Sequence, residues 1–123
     1  MLIIDAHSHL WLRQDTVVYG SRIRTLAGNG SRSEFFGEER QMLPPFMIDG
    51  RNTAEVFLSN MDYAQVAGAV VVQELIDGNQ NEYLAETAAK YSDRLYCMGM
   101  ASTAAEAEEL HGKGFKGIAI AGH

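Results

Sequence analysis

The sequence predicts an α/β fold: the first four β/α units of a (β/α)8 TIM barrel, with parallel strands and a long loop after the first strand. Three observations carry this. From Asn52 onward, helix-like segments alternate strictly with short apolar strand-like runs, an order that implies right-handed crossovers and a parallel sheet. The first strand ends in His7-Ser8-His9-Leu10-Trp11, where an open dinucleotide-binding sheet would require G-x-G-x-x-G. The length of 123 residues is close to half of the roughly 250 that a complete barrel takes.

Leu2 to Leu10 opens with an apolar run and then alternates, as a strand does when its first part is buried on both faces. Residues 12 to 50 break any long periodicity with Gly20, Gly28, Gly30, Gly37, Gly50 and the Pro44-Pro45 pair. This stretch reads as an insertion, either a lid or binding loop or a disordered segment. Asn52, three residues before Glu55, is the expected start of the first helix, in which Ala54, Phe57, Leu58, Met61, Ala64 and Gln65 recur at helical spacing. Gly68 stops it, and Ala69-Val70-Val71-Val72 reads as a fully buried second strand. A second helix covers Glu82 to Lys90 and a third strand Leu95 to Met100. Thr103 and Glu106 form a capping box for a third helix through about His111, and Phe115 to Ile120 is the fourth strand.

Composition narrows the function. Hydrophobic residues at 46% against charged residues at 21% describe one folded domain over residues 1–123 rather than a disordered chain. A net charge of −6 argues against a nucleic-acid partner and against an anionic membrane surface. No apolar run approaches the roughly 20 residues of a membrane span. Met1-Leu2-Ile3-Ile4-Asp5 lacks the basic start of a signal peptide, and the lone Cys97 has no internal disulfide partner. Both suit a cytoplasmic protein.

The chemistry is concentrated in the first strand. Strict alternation places Asp5, His7, His9 and Trp11 on one face and Ile4, Ala6, Ser8 and Leu10 on the other. Two imidazoles two residues apart on one strand face can converge on one metal ion, and they fall toward the C-terminal mouth where barrel active sites lie. Burying two histidines and a carboxylate together is costly unless a cation offsets it. His7 and His9 are therefore the candidate ligands. Zn²⁺ suits imidazole best, with Mn²⁺, Fe²⁺ and Co²⁺ left open.

Ile4-Asp5-Ala6-His7-Ser8-His9-Leu10-Trp11 resembles the first-strand signature of the amidohydrolase superfamily, and specifically its amidohydrolase-2 branch of lactonases, nonoxidative decarboxylases and relatives. Gly68-Ala69-Val70-Val71-Val72-Gln73, Tyr91-Ser92-Asp93-Arg94-Leu95 and Gly114-Phe115-Lys116-Gly117-Ile118 resemble, in order, that branch's second strand, the approach to its third, and its fourth. The resemblance covers the chain apart from residues 12 to 50. It implies a (β/α)8 barrel in which a divalent metal activates a water and a carboxylate shuttles the proton, cleaving a lactone, amide or related carboxyl-derived small molecule. A decarboxylase on the same scaffold is the alternative. The remaining ligands and the proton-shuttle aspartate are expected beyond residue 123. A homo-oligomer, or a C-terminal half of the barrel, would then complete the site; a half-barrel serving only for assembly or binding is the non-enzymatic reading.

Other residues divide between two roles. Trp11, Gln73 and His123 are candidate substrate-binding groups near the mouth, with plain packing the alternative for Trp11. Glu74 ends the second strand at the same mouth as Gln73 and could also meet substrate, a solvated loop acid being the favoured reading, and His111 reads as a helix C-terminal cation. Cys97 reads as a small core residue. Arg13, Arg22, Arg24 and Arg32 are available to a substrate carboxylate or simply solvated.

Overall fold

The computed structural model describes residues 1–120, so His123 lies outside the described residues. In chain order the elements are β1 (Ile4–Ser8), β2 (Asp15–Val18), β3 (Ser21–Thr25), β4 (Arg32–Phe35), β5 (Glu38–Gln41), α1 (Ala54–Tyr63), β6 (Gly68–Val71), α2 (Asn81–Lys90), β7 (Leu95–Met100), α3 (Ala104–Gly112) and β8 (Gly117–Ala119). A single 3-10 turn, Leu75–Asp77, follows β6.

Strands β1, β6, β7 and β8 form a parallel sheet in that order. Neighbours in space are successive parallel strands in the chain, as in a barrel; a doubly wound sheet would begin in its middle. The helices agree. Met61 of α1, Leu84 and Ala88 of α2 and Leu110 of α3 share one core with Ala69, Val71, Leu95 and Cys97. All three helices thus cover the same sheet face. The alternate strand residues Val70, Val72, Tyr96, Met98 and Met100 are only half-buried, and they line the face that is the interior of a barrel. The chain is the first four β/α units of that fold.

Two burial expectations change on this account. The second strand is not buried on both faces, because Val70 and Val72 belong to the open interior face. The apolar start of the chain is exposed as well, with Leu2 at 76% and Ile4 at 44%, since β1 is an edge strand with β6 as its neighbour.

Local sequence explains the junctions. Thr53, rather than Asn52, caps α1, its side chain accepting from Val56 N–H. Asn52 instead pairs with Trp11 in an antiparallel bridge and donates its amide to the His9 carbonyl at 2.7 Å. The Thr103–Glu106 capping box of α3 is present in full. Arg94 donates to the carbonyls of Val66 and Ala67 and pairs with Asp62, tying the approach to β7 to the end of α1. At Gly99 the close approach of α3 leaves no room for a side chain: a Cβ there would stand 2.7 Å from Leu110 Cδ1. Among the described residues no helix is long and apolar enough to cross a membrane.

Residues 12 to 50 differ from the irregular loop expected of them. They contain a second, antiparallel sheet of order β2-β3-β4-β5. Its β2–β3 and β4–β5 connections are two-residue turns, Tyr19-Gly20 and Phe36-Gly37, with both residues of each at positive φ. This turn type matches the twist of paired strands. Ion pairs line the sheet's exposed side: Arg22 with Asp15, Arg24 with Glu34 and Arg32 with Glu39. Three of the four loop arginines offered to a substrate carboxylate are therefore engaged within the sheet.

Candidate metal centre

Strand β1 does not alternate strictly. Asp5 lies level with Ala69 and Ser8 with Val71, so three steps on β1 match two on β6. This bulge breaks the periodicity that put Asp5 on the face of His7 and His9. Asp5 turns back on its own strand, its Oδ1 accepting from the His7 backbone N–H at 3.1 Å. Bulges re-aim side chains beside functional sites. Here Ser8 is buried, with its hydroxyl donating to the Val70 carbonyl at 2.8 Å, while His7 and His9 remain on the open side.

His7 and His9 converge. Their Nε2 atoms are 3.0 Å apart, and the rings meet edge to face. Glu74, one residue beyond Gln73 at the end of the neighbouring strand, brings Oε1 to 3.5 Å from His9 Nε2. One ligand atom from each of His7, His9 and Glu74 lies within 4.8 Å of the others. Bonds of about 2.0–2.1 Å to one ion imply ligand–ligand separations of about 2.9–3.4 Å for octahedral to tetrahedral angles, so the donors stand close to a coordinating arrangement. Two imidazoles and a carboxylate are also a donor set that catalytic zinc sites use, with a fourth position left for water or substrate.

The orientation of His9 supports this. Its Nδ1 lies 3.0 Å from the Val72 carbonyl oxygen. A carbonyl only accepts, so Nδ1 carries a proton and donates to Val72, which orients the ring with Nε2 toward His7 and Glu74.

The remaining candidates sit nearby but differently. Trp11 is buried and donates its indole N–H to the Gly50 carbonyl at 3.0 Å. Gln73 is buried too. Its amide donates to Asn81 Oδ1 and the Met98 carbonyl and accepts from Gln80 N–H, which braces the end of β6 against α2 and β7. Cys97 is in the core, and burial pushes its thiol up to about 11. His111 is exposed in the last turn of α3.

Sequence reasoning undervalued Glu74, whose place is set by topology: the second parallel strand of a barrel is the neighbour of the first, so its C-terminal acid shares the same mouth. It also passed over Asp77, buried in the 3-10 turn with Oδ1 accepting from Gln14 at 2.7 Å. Burial raises the Asp77 carboxyl above its ordinary range, opposed by the Gln14 hydrogen bond and by His9 and reinforced by Glu74.

The family model described as Amidohydrolase matches residues 4–123. The chain belongs to the amidohydrolase family. Among solved structures, this amidohydrolase chain is similar to a probable 2-pyrone-4,6-dicarboxylic acid hydrolase from Acinetobacter baumannii with citric acid bound. The likeness has a TM-score of 0.60 and 23% identity and covers 96% of this chain and 37% of that one. It shows the fold, and it means that the chain spans little more than a third of that protein's length. No curated protein matches the sequence.

Proposed function

We propose that the protein is the metal-holding part of an amidohydrolase-type hydrolase that opens a lactone, amide or related carboxyl-derived bond in a small acidic molecule. One observation carries the proposal: His7, His9 and Glu74 gather at the C-terminal mouth of β1 and β6, with the His9 ring oriented by the Val72 carbonyl. A divalent ion bound there would polarise a carbonyl and lower the pKa of a water. His7 and His9 would hold it through Nε2, Zn²⁺ being the best-suited ion, and Glu74 would supply the third position. The Val72 carbonyl would keep the His9 ring oriented.

We infer the acidic character of the substrate from a cleft that shares no lining residue with the metal centre. Arg13 and Arg51 line a cleft of about 390 Å³ beside the start of the inserted sheet, together with Asp49. Among the described residues neither arginine forms a side-chain ion pair, and guanidinium forks match carboxylates. The similar barrel structure is that of a probable hydrolase of a dicarboxylic acid and holds citric acid, which is consistent with this preference. Because the chain spans 37% of that structure, the activity belongs to a complete barrel.

The test is the metal content of the purified protein, wild type against the double variant His7→Ala/His9→Ala, followed by a hydrolysis screen of lactones and amides with and without a second carboxylate. Stoichiometric metal that is lost in the variant is expected, with turnover of acidic substrates only where the remaining half of the barrel is supplied. Wild-type protein without metal overturns the reading.

A further inference from the structure

The inserted sheet reaches the candidate metal centre through one line of buried polar groups. Ser33 of β4 donates its hydroxyl to Gln14 Oε1 at 3.3 Å. Gln14, just before β2, donates its Nε2 to Asp77 Oδ1 at 2.7 Å. The Asp77 backbone N–H donates to the Glu74 carbonyl at 3.1 Å, closing the 3-10 turn. Glu74 then sets its carboxylate 3.5 Å from His9. Ser33, Gln14 and Asp77 are 1%, 3% and 3% exposed, so water does not compete for these bonds. Strand β2 runs against the turn along the same contact.

Glu74 has few other restraints of its own. Its side chain is 47% exposed, and its hold on the His9 side depends on how the turn after it is seated. On the β6 side, Gln73 is already fixed by Asn81, Met98 and Gln80. On the other side, two side chains hold the turn at Asp77: Gln80 donates to its carbonyl at 2.8 Å, and Gln14, from the inserted segment, to its carboxylate.

We propose that Gln14 is a positioning residue: through Asp77 it seats the turn that aims Glu74 at the metal, so the inserted sheet is a brace of the metal site. The inference rests on the metal-site reading above. It assigns residues 12 to 50 a role in ion affinity that an independent lid would not have. Groups that orient metal ligands change affinity by about 10–100-fold when removed.

The experiment is a double-mutant cycle read by metal affinity, using Zn²⁺ or Co²⁺ in competition with a chelating dye, with thermal melting in parallel. Gln14→Ala is expected to weaken binding by about 10-fold or more when Glu74 is present, and by less than about twofold in the Glu74→Gln background. Asp77→Asn, which keeps an acceptor for Gln14, is expected to stay within a few-fold of wild type. If Gln14→Ala does not fold, Ser33→Ala is read in the same cycle, with a smaller loss that again requires Glu74. An equal loss in both backgrounds, or no loss, overturns the positioning role while leaving the metal site standing. Absence of metal from wild-type protein overturns both.

Discussion

His9 and Val72 are joined by a 3.0 Å hydrogen bond from the imidazole Nδ1 to a main-chain carbonyl at the end of the adjacent strand. Because the acceptor is backbone, side-chain substitution at Val72 leaves it in place, and the bond orients the ring with its other nitrogen toward His7. Glu74 stands beyond that carbonyl, facing the same nitrogen. The geometry yields several measurable consequences.

Glu74→Gln keeps the shape of the side chain and removes its charge. If Glu74 is the third ligand, dye competition should report a loss of metal affinity of at least about 10-fold, with the melting temperature of metal-free protein nearly unchanged because the carboxylate is 47% exposed. Unaltered affinity would return Glu74 to the solvated role its sequence context suggests.

Asp77 links stability to pH. Burial raises its carboxyl above the ordinary value, so the folded state favours the protonated form. The stabilisation is complete below the unfolded pKa of about 4 and is lost as pH rises through the higher folded value. Asp77→Asn remains neutral throughout. Melting of metal-free protein should therefore show the variant gaining on wild type as pH rises from about 4, then levelling off. His9 and Glu74 are the charged neighbours that modulate the rise. A difference that does not vary with pH would contradict the burial of a titrating carboxyl there.

Gly99→Ala tests the packing of α3 on the sheet. The added methyl would meet Leu110 Cδ1 at 2.7 Å and Phe115 Cδ1 at 3.3 Å. Overpacking of this kind costs about 1–3 kcal/mol, and urea unfolding should give a lower midpoint with the same slope. An unchanged midpoint would mean that the helix has room to move outward.

Cys97 should be chemically silent in the folded protein. Its side chain is fully buried and its thiol is pushed up to about 11. Thiolate is the reactive form, so iodoacetamide at pH 8 should modify native protein at least ~100-fold more slowly than protein unfolded in urea. Equal rates would show that β7 opens readily.

Much of this molecule was legible in order of residues alone. The strand and helix alternation after Asn52 fixes α/β class, because parallel strands need crossovers and the crossovers here carry helical periodicity. The Thr103–Glu106 cap is a local pairing and was readable as such. His7 and His9 are two residues apart, His9 just past the end of β1, and the spacing is compatible with the 3.0 Å approach of their Nε2 atoms. Three features needed the tertiary structure. The bulge between Asp5 and Ser8 depends on register against β6, which no single strand specifies, and it removed Asp5 from the shared face. The antiparallel sheet of residues 12 to 50 escaped because its strands are short, polar and rich in cross-strand ion pairs, so the apolar alternation that marks a half-buried strand is weak. Glu74, Asp77 and Gln14 come together only because parallel pairing sets the end of β6 beside His9 and the inserted sheet returns to cover the turn between them. Sequence determined the helices and parallel strands after Asn52 and which two imidazoles stand together. The fold decided which carboxylate joins them, because that depends on contacts between segments far apart in the chain.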